Sequence, residues 1–248
     1  MASNPPGKCC FTGVAHAGVA KGKHSKIFGL DTYITGVHSN DKIIIIMTDS
    51  FGNKFNNVLL IADAFGEAGY KVLIPDILDN DLIDMSNDRK MEVWITKHDS
   101  KFTRKFSEPF SKSVRSELKP KFLGVVGYCL GAKYALQLIN AKEGIADVAA
   151  IAHPSFVDIK EVEAIGKNPL LISAAEIDAM FSTEKKYETE AKLQEIGARY
   201  QLDVFSGVSH GYAVRHGTSC PLIKYAKEKT FHDQVYWFNH FSAAIFSA

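Results

Sequence analysis

The chain has 248 residues, 46% hydrophobic and 23% charged, with a formal net charge of +1. This is the composition of a globular protein long enough to bury a large core. Its 28 acidic residues nearly cancel 29 scattered basic ones, so no basic field for nucleic acid or a membrane surface arises.

Four cysteines in so long a chain build no disulfide framework. They suit a reducing compartment, the cytoplasm by default or the nucleus. No apolar run approaches bilayer length, and residues 1–26 lack the apolar centre of a signal peptide. Residues 1–26 are expected as an irregular arm and 27–248 as a single domain. Cys9, Cys10, His16 and His24 lie in the arm at spacings that match no paired-ligand pattern, so no metal is expected.

Residues 27–37 alternate in the manner of an antiparallel edge ribbon. Lys42–Met47 is a continuous apolar run, as in a strand covered on both faces. Residues 56–68 form an amphipathic helix pattern stopped by Gly69, and residues 72–76 are the next buried strand. Strand, helix, strand at this spacing implies parallel pairing. Residues 79–118 are less regular, with helix-like patches at 88–97 and 102–118 that fit an excursion capping a pocket.

Further strands are expected at 122–126, Val148–Ala152, 169–174 and 200–205. Helices are expected at 133–141, 182–196 and from about Pro221 to the end, the last with Tyr225, Val235, Phe238 and Phe241 on one face. This alternation describes a doubly wound α/β domain, a mostly parallel sheet with helices on both faces.

The most informative stretch is Gly127-Tyr128-Cys129-Leu130-Gly131, which joins a strand pattern to a helix pattern. It has the layout G-x-[Ser/Cys]-x-G of a nucleophile elbow, with a thiol at its centre. The flanking glycines remove side chains that would collide in so tight a turn. The helix N-terminus beneath Cys129 favours thiolate. Other roles fit less well: Gly124, Gly127 and Gly131 are wrongly spaced for a dinucleotide fingerprint, and no second Cys lies near for a redox pair. A small buried Cys remains the plain alternative.

Reactive residues of open parallel sheets gather at the carboxyl ends of the strands. There the chain offers Asp49, Ser50, Asp76, Cys129, His153, Asp178 and His210. Cys129, Asp178 and His210 fall in the order nucleophile, acid, histidine of the α/β-hydrolases. His153 is a rival base, although Pro154 beside it favours a structural role.

The elbow, together with Asp49-Ser50-Phe51-Gly52, Gly69-Tyr70 leading to Pro75-Asp76, Asp178 and His210-Gly211-Tyr212, resembles the dienelactone hydrolase family over roughly residues 27–245. The resemblance implies an α/β-hydrolase fold and a triad of Cys129, Asp178 and His210. It also implies oxyanion donors from the backbone N–H groups of Ser50 and Leu130. Where bacterial members carry a thiol-activating Glu this chain has Asp49, and where they carry a substrate-gripping Arg it has Val214, followed by Arg215. The long arm is similar to that of fungal members. The implied activity is hydrolysis of a small ester or lactone through an acyl-enzyme, without cofactor, by a monomer or homodimer. A thioesterase on the same site and a silent hydrolase-like binding protein are the alternatives.

Overall fold

The structure is a computed structural model that describes residues 2–5, 13–83 and 91–246. Cys9, Cys10 and part of the 79–118 excursion lie outside the described residues. In chain order the elements are β1 (Lys23–Ile27), β2 (Leu30–Gly36), β3 (Lys42–Met47), α1 (Asn56–Glu67), β4 (Lys71–Pro75), α2 (Met91–Lys97) and α3 (Ser100–Ser113). Then follow β5 (Phe122–Tyr128), α4 (Gly131–Leu138), β6 (Val148–Ala152), α5 (Ile159–Ala164), β7 (Leu170–Ile177), α6 (Thr183–Glu195), β8 (Tyr200–Ser209) and α7 (Pro221–Phe246).

The strands form one eight-stranded sheet in the order β1-β2-β4-β3-β5-β6-β7-β8. β1 and β2 pair antiparallel, as does β2 with β4, and every later pairing is parallel. The ribbon expected near residue 27 therefore exists, but its first strand begins at Lys23, inside the expected arm. From Gly13 to Lys21 the arm lies against α1: Asn57 binds the Val14 carbonyl at 2.8 Å and Asp63 accepts the Lys21 N–H at 2.7 Å.

The apolar run of β3 divides its side chains between two cores. Ile43, Ile45 and Met47 face one, and Ile44 and Ile46 the other. Each such fully buried aliphatic side chain contributes about 2 kcal/mol, before ordering costs. Val58, Ala62 and Phe65 of α1 and Ala226 and Phe238 of α7 cover one face. Phe110 of α3, Ala135 of α4, Val162 of α5 and Leu193 of α6 cover the opposite one.

Three local readings are corrected. α5 is an unexpected helix, started by a capping box in which Asp158 and Glu161 each bind the other's backbone. β8 runs on to Ser209, four residues beyond the expected end at 205, so His210 directly follows a strand. In α7, Tyr225 is 61% exposed; the buried stripe is Ala226, Thr230, Gln234, Phe238 and Ser242. Two of its polar members reach the strand ends: Gln234 accepts from the Tyr128 hydroxyl at 3.1 Å, and Thr230 meets the Tyr212 hydroxyl at 2.7 Å. Among the described residues no helix is long and apolar enough to cross a membrane.

Candidate active site

The turn after β5 puts Cys129 in the left-handed region, at φ 54°. A non-glycine residue held there is strained and persists only where its surroundings enforce it. The two glycines explain the tightness. A Cβ on Gly127 would lie 2.6 Å from the Ala132 Cα, and one on Gly131 would lie 2.1 Å from the Met47 carbonyl oxygen. The elbow is thus wedged between its own helix and β3, with Cys129 beneath the N-terminus of α4.

Sγ of Cys129 is 3.3 Å from Nε2 of His210. Nδ1 of His210 is 2.8 Å from Oδ2 of Asp178, with both side chains buried. Asp178 sits just past β7, where its Oδ1 accepts the backbone N–H groups of Met180 at 2.8 Å and Phe181 at 3.1 Å. A carboxylate held by two amides cannot swing away from the ring. Burial pulls the His210 pKa down, but the Cys129 charge and the Asp178 bond outweigh it and raise it to about 9. Below that pH the His210 ring is held as imidazolium, a charge that favours ionisation of a thiol 3.3 Å away.

Ser50 and Leu130 lie at neighbouring strand ends, since Met47 of β3 pairs with Gly127 of β5. Both are buried, and the Ser50 carbonyl accepts from the Ile83 N–H at 2.9 Å. Within the excursion, Leu82 also touches Gly52, while α3 packs on α4.

Asp49 and Arg215 are brought to each other. Nη1 of Arg215 is 3.3 Å from Oδ2 of Asp49, and Oδ1 accepts the Phe51 N–H at 3.0 Å. Burial, helped by the Cys129 charge and opposed by Arg215, lifts the Asp49 pKa to about 6.

His153 is buried with its ring 5.0 Å from that of His210, edge to face. Neither of its ring nitrogens bonds to another described residue. Burial, with the charges of His210 and Arg215, holds its pKa well below the usual value, so the ring is neutral. Sequence reasoning missed Ser155, whose Oγ lies 3.3 Å from Sγ of Cys129. Its only signal was a hydroxyl two places after His153 at a strand end.

A mostly parallel sheet covered on both faces, with a thiol elbow after its fifth strand, is an α/β-hydrolase. The model of the dienelactone hydrolase family matches residues 30–242. The chain is 34% identical to "Hydrolase tropI" of Talaromyces stipitatus over 97% of its own length and 98% of that protein's. It is 30% identical to "Dienlactone hydrolase 1" of Gibberella moniliformis, covering 97% of this chain and 96% of that one. Among solved structures, a putative dienelactone hydrolase from Klebsiella pneumoniae superposes with a TM-score of 0.69 at 12% identity, over 85% of this chain and 92% of that one. The chain belongs to the dienelactone hydrolase family, and is an ester or lactone hydrolase.

Proposed function

We propose that the chain hydrolyses a small carboxylic ester or lactone with Cys129 as nucleophile, His210 as acid and base, and Asp178 as the group that orients His210. The observation that carries this reading is the continuous series of contacts from Sγ through the imidazole to the carboxylate, at 3.3 Å and 2.8 Å. The thiolate attacks the carbonyl carbon, and its electron pair forms the C–S bond while the carbonyl oxygen gains the negative charge. The N–H groups of Ser50 and Leu130 hold that oxygen, each such donor contributing about 3 kcal/mol in comparable sites. The imidazolium gives its proton to the leaving oxygen and, now neutral, takes one from water. That water cleaves the thioester and returns the thiolate. No cofactor takes part.

Asp49 and Arg215 compensate each other's charge beside the thiolate. The arm precedes a single catalytic domain, working in the cytoplasm or nucleus as monomer or homodimer on a small-molecule substrate. The test is hydrolysis of small aryl esters and lactones by the wild type, Cys129→Ala and His210→Ala. Turnover is expected in the first alone; equal activity in all three would end the proposal.

A further inference from the structure

Ser155 belongs to none of the motifs above, yet it touches the reacting atom. It is fully buried, its Oγ lies 3.3 Å from Sγ of Cys129, and its backbone N–H donates to the Cys129 carbonyl at 3.0 Å. Two anchors thus tie one residue to the elbow. The chain reaches this position through two left-handed residues, His153 at φ 39° and Phe156 at φ 64°. Such conformations cost energy and need external support.

That support comes from the far end of the chain. Ala2 and Ser3 are fully buried, unusual for residues beside a terminus. The Phe156 N–H donates to the Asn4 carbonyl at 2.7 Å, and the Val157 N–H to Oγ of Ser3 at 2.8 Å. The Ser3 N–H donates to the Val157 carbonyl at 2.8 Å. On its other side, the Asn4 N–H donates to the Met180 carbonyl at 2.6 Å and its Nδ2 to the Ala179 carbonyl at 2.8 Å. Met180 is the residue whose own N–H holds Asp178. Residues 2–4 therefore strap the loop of Ser155 to the loop of Asp178.

We propose that Ser155 is a further catalytic residue, its hydroxyl donating a hydrogen bond to the Cys129 thiolate, and that Ser3 and Asn4 are its positioning residues. Resting on the nucleophile assignment above, this extends it to both halves of the reaction. A thiolate with no solvent exposure needs donors inside the protein, and the Ser155 hydroxyl stands at 3.3 Å from the sulfur beside Nε2 of His210. When the thiolate attacks, its pair moves into the C–S bond and the Ser155 bond weakens. When water cleaves the thioester, the C–S bond breaks, its electron pair returns to sulfur, and the Ser155 O–H donates to the departing thiolate. The hydroxyl proton stays on oxygen throughout. Ser155 thereby favours the sulfur as leaving group in the second half.

The charges surrounding the thiol come from several elements: Asp49 after β3, Asp178 after β7, His210 and Arg215 after β8, with neutral His153 after β6. Replacing Ser155 alters none of them.

The experiment is an ultraviolet titration of the thiolate in wild type and Ser155→Ala, each read as the difference from its own Cys129→Ala partner. This readout needs no turnover, so it stands apart from any failure of the ester assay. A hydrogen bond to a charged group predicts a tenfold to hundredfold weaker thiol acidity in Ser155→Ala, or roughly one to two pH units. Ser3→Ala, with the Val157 N–H left unpaired, is expected to shift the titration in the same direction by less. With an ester that gives a burst, Ser155→Ala should keep the burst and slow the steady state about tenfold or more. An unchanged titration in Ser155→Ala, with a normal melting curve, overturns the role of the hydroxyl. An unchanged titration in Ser3→Ala overturns the strap.

Discussion

The Asp49 carboxylate and the Arg215 guanidinium meet at 3.3 Å, and neither side chain is more than 2% exposed. A buried pair of this kind is weak evidence for stability, because removing both charges from water can cost as much as their attraction returns. Here the balance is visible. Even with Arg215 in contact, Asp49 takes up a proton at about pH 6, above the ordinary carboxylate range.

The Asp49 carboxylate should therefore give the protein a pH dependence of stability that Asp49→Asn lacks, while the amide itself leaves the buried Arg215 without its counter-charge. The folded pKa of about 6 lies above the unfolded value, so the folded state binds more protons between them. Stability accordingly falls as pH rises through this window. The full penalty, about 3 kcal/mol at most, is present by pH 7. Denaturant melts should show the stability of wild type relative to Asp49→Asn falling by about 3 kcal/mol at most from pH 4 to pH 7, on top of a constant offset from the uncompensated Arg215. A difference between the two proteins that stays constant from pH 4 to pH 7 would refute the account.

His210 acts in the same direction over a higher pH window. Its folded pKa is raised to about 9, so the stability it contributes is complete below the ordinary histidine value and lost as pH rises through about 9. The acid that protonates the leaving oxygen is lost over the same range. We expect kcat/KM for aryl esters to fall about tenfold per unit above pH 9. A flat profile to pH 10.5 would be inconsistent with that role.

Asp178→Asn should separate catalysis from folding. The amide oxygen can still accept from Met180 and Phe181, but the side chain no longer fixes the ring with a carboxylate. A loss in kcat of about 10⁴, as in comparable triads, is expected with the melting temperature little changed. Loss of activity below tenfold would leave Asp178 without its assigned role.

Gly131→Ala should fail through sterics alone. The added methyl would sit 2.1 Å from the Met47 carbonyl oxygen, which belongs to a central strand and cannot yield. We expect at least about 2 kcal/mol of destabilisation, read by urea unfolding. An equally stable variant would mean the elbow is less tightly wedged than described.

The parallel sheet was legible because both-face burial writes continuous runs such as Lys42–Met47 and Val148–Ala152 into the chain. The elbow was legible because its glycines are required by contact distances of backbone. Ser155 was not, since a serine after a strand end has no distinctive spacing, and its contact depends on two strained residues and a strap from residue 3. The pairing of Asp49 with Arg215 was hidden for a similar reason: each is a local feature, and only the sheet order joins strand ends so far apart in sequence. The face of α7 was misjudged because its buried stripe includes Thr230, Gln234 and Ser242, which apolar periodicity overlooks.

The outermost strand, β1, is exposed along nearly its whole length and carries Lys23 and Lys26. An open margin of this kind would otherwise be a template on which a second molecule could extend the sheet. Two copies meeting there would set ammonium groups against each other before any backbone bond could form. The same short ribbon that completes the fold thus discourages fibre growth from that side, and replacing both lysines with threonine should make concentrated samples more prone to self-association.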